Sequence, residues 1–333
     1  MPVAFVTGAT GQDGSYLCEV LARDGWTIHA LARDGLDGQP DPALADLLAL
    51  VPDVVVHRGD LTDGAALERI VSEIEPAEIY NLAGISSVAY SWREPAATGL
   101  VSGVSVASIL DAAWRLQERT GRVVRVLQPS SAEIFGHAER SPQDESTPVR
   151  PRSPYGAAKA YGHHMVDIYR SRELHACSVI LYNHESPRRP LSFVTRKITH
   201  GVARIAAGLD DHLTLGSLDV VRDWGWAPDY VDAMVAAVRH PAPDDYVIAT
   251  GQPHTVADFV EAAFARVGIT DSDRYLRTDP AFVRPTDASV QLGDAGKARQ
   301  VLGWTPTVDF DGVVHAMVDH DVALLARHAA GGA

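Results

Sequence analysis

The run Val3-Ala4-Phe5-Val6-Thr7-Gly8-Ala9-Thr10-Gly11-Gln12-Asp13-Gly14-Ser15-Tyr16-Leu17 decides how this chain is read. A short apolar strand, Val3 to Val6, runs into glycines at 8, 11 and 14, and a helical stretch follows from about Ser15 to Ala22. Glycines so spaced let the backbone turn sharply and approach a pyrophosphate at a helix N-terminus, where free N–H groups and the helix dipole favour an anion. A plain glycine-rich turn has the same letters. The strand before it and the helix after it favour the dinucleotide reading.

Working outward, further apolar strands fall at about Thr27 to Leu31, Asp53 to Val56, Glu78 to Leu82 and Val123 to Leu127, with helices such as Ala65 to Ile74 and Val101 to Leu116 between them. Short, unalternated apolar strands joined by helices imply an α/β fold: a doubly wound, parallel, Rossmann-type sheet covered on both faces. Past residue 183 the pattern loosens. Helices return at about Val194 to Ala207, Tyr230 to Val238, Val256 to Arg266 and Asp309 to Leu325, and His328 to Ala333 reads as a frayed tail. The expected division is a dinucleotide-binding domain over 1–182, carrying a Tyr/Lys helix, and a smaller substrate-binding lobe over 183–333. The two are intimately joined, with some segments returning to the first domain, and a cleft between them is the expected site.

The 333 residues are 46% hydrophobic and 22% charged, the profile of a globular enzyme. With 29 Lys plus Arg against 43 Asp plus Glu, the net charge is −14, which leaves no general footprint for nucleic acid or an anionic membrane. An anionic ligand then needs a local basic group, and Arg188, Arg189, Arg196 and Lys197 form one in the sequence. The two cysteines, Cys18 and Cys177, have no CxxC partner and read as buried packing. No metal is expected, because His163 and His164 are adjacent and point to different sides of a helix, and no metal-spaced cluster exists. There is no run of about 18 apolar residues and no basic start with an apolar signal core, so the expected location is the cytoplasm. Trp224 and Trp226 read as packing groups.

The second strand ends Ala30-Leu31-Ala32-Arg33-Asp34. Ala32 cannot accept from the ribose hydroxyls of NAD, and Arg33 suits a 2′-phosphate, whereas Asp34 would repel one if it faced inward. The balance favours NADP over NAD. Asp60-Leu61 after the third strand is placed to meet the adenine, and Asn81-Leu82-Ala83-Gly84 to line the middle of the cofactor. The cofactor set is therefore Gly8, Thr10, Gly11, Gln12, Asp13, Gly14, Arg33, Asp60, Leu61, Leu82, Ala83 and Gly84, joined by Tyr155 and Lys159. Tyr155 and Lys159 lie four apart on a predicted helix begun by Pro154, hence on one face, and a nearby ammonium favours phenolate. Ser131 and Glu133 follow the fifth strand, whose end belongs to the same crevice. An i,i+4 Tyr/Lys pair on a surface and a solvated loop glutamate would look the same in isolation.

Together these features resemble the extended short-chain dehydrogenase/reductases that act on nucleotide-activated sugars. A narrower resemblance, to the GDP-mannose 4,6-dehydratase family, is carried by Gly11-Gln12-Asp13-Gly14-Ser15-Tyr16-Leu17, Glu78-Ile79-Tyr80-Asn81-Leu82-Ala83, Pro151-Arg152-Ser153-Pro154-Tyr155-Gly156 and Asn183-His184-Glu185-Ser186-Pro187-Arg188-Arg189. Phe193 to Thr199, Arg222-Asp223-Trp224-Gly225, Val247 to Gly251 and Arg284-Pro285 extend it from about residue 3 to about 306. The resemblance implies catalytic positions for Ser131, Glu133, Tyr155 and Lys159, and GDP-sugar contacts for Ser87, Asn183, Glu185, Arg188, Val194, Lys197, Arg222 and Arg284. It also implies the chemistry: C4 oxidation with Tyr155 taking the hydroxyl proton, removal of the C5 proton by Glu133, loss of water from C6 and return of hydride to C6. The product is a 4-keto-6-deoxy sugar.

The chain departs from the family at Ile85-Ser86-Ser87, where the family has Gln-Ser-His, at Trp226 for His, at Pro190 for Gly and at Asp34 for a second Arg. Gly35 to Asp41 replaces an Arg/Ser-rich loop that in the family reaches an adjacent subunit. A homodimer is therefore expected, with a tetramer possible. Leu100, Val101, Val104, Val106, Ile109, Leu110, Trp114 and Leu116 are more apolar surface than one packed face needs. The resemblance implies that this helix and the Tyr155/Lys159 helix pair with their symmetry mates. Two other functions fit the same fold: an epimerase or 4-ketoreductase of a nucleotide sugar, and a non-catalytic nucleotide-sugar or NADP sensor. Glu133 and the NHESPRR stretch count against the first, and an intact Ser131, Tyr155 and Lys159 against the second.

Overall fold

The computed structural model describes residues 1–33, 42–282 and 290–331. Strands β1 (Val3–Thr7), β2 (Thr27–Ala32), β3 (Val55–Arg58), β4 (Glu78–Asn81), β5 (Arg125–Ser131) and β6 (His175–Leu181) alternate with helices α1 (Gln12–Arg23), α2 (Pro42–Leu50), α3 (Gly64–Ile74), α4 (Val88–Arg93), α5 (Pro95–Gly99), α6 (Ser105–Thr120) and α7 (Pro154–Arg170). A π-helical turn, Leu100–Val104, joins α5 to α6. The remaining elements are β7 (Asn183–Glu185), α8 (Val194–Ala206), β8 (Leu213–Leu215), β9 (Val221–Trp226), α9 (Ala227–Arg239), β10 (Asp245–Ile248), β11 (Pro253–Thr255), α10 (Val256–Arg266), β12 (Leu276–Thr278) and α11 (Phe310–Gly331).

Seven parallel strands form the main sheet, in the order β10-β6-β5-β4-β1-β2-β3. Helices α1, α2 and α9 cover one face through Leu17, Leu21, Leu47 and Met234, and α3, α6 and α7 cover the other through Leu67, Val71, Ile109, Leu110 and Val166. With both faces covered, even Phe5 and Val6, adjacent in sequence and pointing to opposite sides, are fully buried. The winding direction reverses between β1 and β4, so the ends of β1, β4 and β5 open onto one crevice. Thr7, Asn81 and Gln128 lock those ends together: the Thr7 hydroxyl donates to Asn81 Oδ1 (2.8 Å), and Asn81 Nδ2 donates to Gln128 Oε1 (2.7 Å).

The chain past residue 182 does not stay apart from this sheet. β10 pairs with β6, and α9 lies against α1. The rest builds a second core of α8, α10 and α11 around Trp224, Phe259, Phe264 and Met317, with β9 between β7 and β11. Trp224 is packing, edge-on to Phe259, and Trp226 packs at the margin of the same cluster. Cys18 and Cys177 are buried and unbridged, and burial pushes their thiols up to about 12 and about 11.

Several elements differ from the sequence reading. β3 is shifted two residues on, because its register pairs His29 with Val55 and Leu31 with His57. β5 starts later than read and runs on to Ser131. The last helix continues past Leu325 and His328 to Gly331, so no tail begins at His328. Pro95–Thr120 is a continuous helical stretch long and apolar enough to cross a bilayer by composition, but half of it is buried, with Ile109, Leu110 and Ala113 inside the core. Of the surplus apolar residues expected there, Val106, Ile109, Leu110 and Leu116 are satisfied within the chain, and Leu100 and Val104 face outward.

Candidate active site

The glycine loop is built by close approach. Gly8 has φ +69° and so near a neighbour that a Cβ would lie 2.6 Å from the Ala83 nitrogen; at Gly14 a Cβ would lie 2.1 Å from Gly8 O. α1 begins at Gln12, earlier than read, and its N-cap, Gly11, supplies no side-chain cap. The first-turn N–H groups, with Thr10 on the approach, therefore remain for a ligand, and the cradle fits the pyrophosphate of a dinucleotide. The side chains of Gln12 and Asp13 are turned to the protein instead. Gln12 donates to His184 O (3.1 Å) and accepts from Ser186 Oγ (2.9 Å). Asp13 meets His184 Nε2 at 2.9 Å, and His184 Nδ1 meets Tyr182 O at 2.7 Å. Burial opposes both charges, yet the pairing prevails, holding Asp13 below the usual carboxylate range and His184 above that of a free imidazole.

At the other end of the cradle Arg33 is exposed beyond β2, and Ala32 is buried and offers no acceptor. Arg58, which the sequence reading passed over, donates from Nη1 to Arg33 O (3.1 Å) and brings a second guanidinium there. Asp60 accepts from the Thr62 hydroxyl (2.6 Å) and N–H (2.7 Å), which with Arg33 hold its carboxyl low. Leu61 is buried, Leu82 and Ala83 are half-buried, and Gly84 is exposed at the end of β4. Asp34 and the loop 35–41 lie outside the described residues.

The Tyr/Lys helix and the loop after β5 meet in the crevice. Ser153 caps α7, accepting from Gly156 N at 3.0 Å, and Pro154 opens its first turn. Tyr155 is buried and hydrogen-bonded to Ser131. Burial pushes its phenol up to about 12; the Ser131 bond opposes this, the Glu133 charge adds to it, and the Arg189 charge opposes it. Lys159 donates to Pro129 O (3.0 Å), and burial brings its ammonium down to about 8. Glu133 lies in a one-turn 3-10 helix after Ser131 and accepts from Gln291 Nε2 (3.0 Å) and, more weakly, from Ser153 Oγ (3.4 Å). Ser131, Glu133, Tyr155 and Lys159 are therefore assembled around one crevice: a hydroxyl beside a phenol, an ammonium 5.9 Å from the centre of the phenol ring, and a carboxylate near enough to be felt by it.

The residues expected to hold the sugar nucleotide divide. Lys197 and Leu191 line an open cleft of about 400 Å³ with His200 and His212; the Lys197 ammonium lies 3.7 Å from the centre of the Phe282 ring, and burial holds it below its usual value. Val194 is exposed at the start of α8. Asn183 begins β7 opposite Trp224, and Arg222 is buried in β9 with Nη1 on Val221 O (2.8 Å). Other residues are spent on the protein. Glu185 is buried, accepting from Thr195 Oγ1 (2.6 Å) and paired with Arg189 (3.3 Å). Ser87 caps α4 through Tyr90 N (3.1 Å). Arg188 reaches back to α1, onto Glu19 (2.5 Å), Ser15 and the Tyr16 ring.

The expected basic cluster does not form as read: Arg196 is buried against Asp321 of α11, which also accepts from Thr199. Arg189, stacked 3.9 Å over Phe193, is the cation whose charge reaches Tyr155, Asp13 and His184. Arg284 lies outside the described residues. Among the described residues no cluster of three or more His, Cys, Asp or Glu is arranged to hold a metal ion.

The profile of the family described as GDP-mannose 4,6 dehydratase matches residues 5–317. GDP-mannose 4,6 dehydratase 1 of Arabidopsis thaliana is 41% identical over 334 residues, 98% of this chain and 91% of its own length. The GDP-mannose 4,6 dehydratase of Homo sapiens is 40% identical over 346 residues, 97% of this chain and 92% of its own length. Among solved structures, dTDP-glucose 4,6-dehydratase of Bacillus anthracis in complex with NAD superposes with a TM-score of 0.79 at 19% identity, covering 96% of each chain. RMD of Pseudomonas aeruginosa complexed with NADPH does so at 0.78 and 22%, covering 97% of this chain and 100% of the other. These two share the fold.

Proposed function

Because this chain belongs to the GDP-mannose 4,6-dehydratase family, we propose that its crevice dehydrates GDP-mannose to the 4-keto-6-deoxy sugar nucleotide, with a nicotinamide cofactor that is NADP. The activity is that of a hydro-lyase. The observation that carries it is the carboxylate of Glu133 beside Tyr155 and Ser131, since C4 epimerisation or reduction by hydride transfer needs no base for a carbon acid. When bound, the nicotinamide supplies the acceptor for hydrogen at C4 and returns it at C6.

The chain's own part is proton handling. Tyr155, with Ser131 and Lys159 beside it, takes the C4 hydroxyl proton. The ketone so formed acidifies C5, and Glu133 removes that proton. Water leaves from C6 with a proton returned by Glu133 or Ser131; once hydrogen is restored at C6, Glu133, recharged from solvent, delivers a proton back to C5, and Tyr155 releases the C4 proton to solvent. The family resemblance supports assigning Lys197, Arg222, Asn183 and Val194 to the nucleotide, and the close-packed glycine loop supports assigning Gly8 to Gly14 to the cofactor pyrophosphate.

NADP rather than NAD is supported by Arg33 with Arg58 beside it, and by Ala32 at the position where an acceptor for the ribose would stand. We further propose a homodimer in the cytoplasm, built on the outward Leu100 and Val104. Incubation with GDP-mannose and NADP tests the reading. A keto-sugar without net NADPH is expected; net NADPH consumption with a keto-sugar would make it a reductase, and binding without turnover a sensor. Arg33→Ala should weaken NADP about tenfold or more and spare NAD, as loss of a charged hydrogen bond implies.

A further inference from the structure

Glu133 is held from a part of the chain that arrives only near its end. Its Oε2 is 3.4 Å from Ser153 Oγ, a long contact to a hydroxyl oxygen that already accepts from Gly156 N. Its Oε1 accepts from Gln291 Nε2 at 3.0 Å. Gln291 is 4% exposed, so its amide is shielded from water. An amide facing a carboxylate can offer only its NH₂ end, so the contact fixes which way the Gln291 amide points.

The backbone leaves Gln291 little freedom. Its N–H donates to Val221 O (3.2 Å), while Val290 bridges the same strand, β9. On the other side Gln143 N donates to Leu292 O (2.8 Å), and Leu292 N donates to Gln143 Oε1 (3.3 Å). Residues 290–292 therefore form a strap pinned between β9 and the loop before α7. Val221, which holds the strap, immediately precedes Arg222.

We propose that Gln291 is a positioning residue for the carbon-acid base: it fixes the rotamer of Glu133 and holds its carboxylate in place beside the crevice. This rests on the dehydratase reading, in which Glu133 takes the C5 proton. Tyr155 and Lys159 perform the preceding C4 step without contact to Gln291, so loss of its amide should separate the two steps.

The test compares wild type, Gln291→Leu and the isosteric Gln291→Glu as holoenzymes with GDP-mannose in deuterated water. In Gln291→Leu, C4 oxidation, read as NADPH absorbance in a single turnover, should stay near the wild-type rate. Exchange of the C5 hydrogen and product formation should fall about 10- to 100-fold, the scale of a lost hydrogen bond to a charged group. Gln291→Glu places a second carboxylate at the same contact and should lose exchange at neutral pH while keeping oxidation. Wild-type exchange in Gln291→Leu would overturn the assignment, as would equal loss of oxidation and exchange in both variants, the mark of a merely structural role. If the wild type itself exchanges no C5 hydrogen, the dehydratase reading fails first, and the assignment with it.

Discussion

Tyr155 lies where burial works against its task. Its phenol is pushed up to about 12 and the ammonium of Lys159 is drawn down to about 8, so burial moves both towards their neutral forms while Lys159 stays mostly charged at neutral pH. The Ser131 hydrogen bond and the charge of Arg189 pull Tyr155 the other way. Tyr155→Phe should lower turnover about 10²- to 10⁴-fold and leave GDP-sugar affinity intact, measured by steady-state kinetics beside calorimetry. Glu133→Gln should do something different: C4 oxidation proceeds, bound NADPH accumulates, and neither C5 exchange nor 6-deoxy product follows. Near-normal product from Glu133→Gln would move the base elsewhere. That Ser131, Glu133, Tyr155 and Lys159 share one crevice was legible because the first two follow β5 and the other two open α7. Arg196 was misread because the partner that claims it, Asp321, is 125 residues away in sequence, and Gln291 carried no signal because an isolated glutamine has no motif.

At the scale of elements, strands and helices with a clear apolar run were legible, and edges were not. Val54, Val55 and Val56 drew the third strand two residues early, whereas the sheet continues through His57 and Arg58, polar residues an edge strand tolerates. The join between α1 and β7 was not legible either, although both sequences were noticed: Asp13 and His184 meet only in the fold. Their pairing has a pH signature. His184 is raised above its unfolded value of about 6.5, so its contribution to stability is full below that pH and is lost as pH climbs through the folded value. Asp13 is lowered, so its contribution is present above about 3.9 and lost as pH falls through the lower folded value. In urea unfolding the margin of wild type over His184→Gln should therefore be full below about pH 6.5 and shrink as pH rises above it. A constant margin would mean that the imidazole is held neutral.

For the whole molecule, the outward apolar residues sit on the helices flanking the crevice: Leu100 and Val104 are 47% and 50% exposed beside α6, and Tyr161 and Ile168 of α7 are 44% and 50% exposed. Val104→Glu should convert the proposed dimer to monomer in light scattering without loss of helical signal, and an unchanged mass would place the interface elsewhere. The return of β10 and α9 to the first sheet carries a consequence for synthesis. While the ribosome is still making residues 183–244, the edge of β6 is unpaired and Leu17 and Leu21 of α1 lack Tyr230 and Met234 to pack on. Arg239, which donates to Glu78 (3.1 Å) and Asp24 (2.8 Å), is also missing until the end of α9 has been made. The nucleotide-binding half of the nascent polypeptide thus matures only when about three-quarters of the protein has been translated, and until then its bare strand edge and apolar helix face are what a chaperone would grasp.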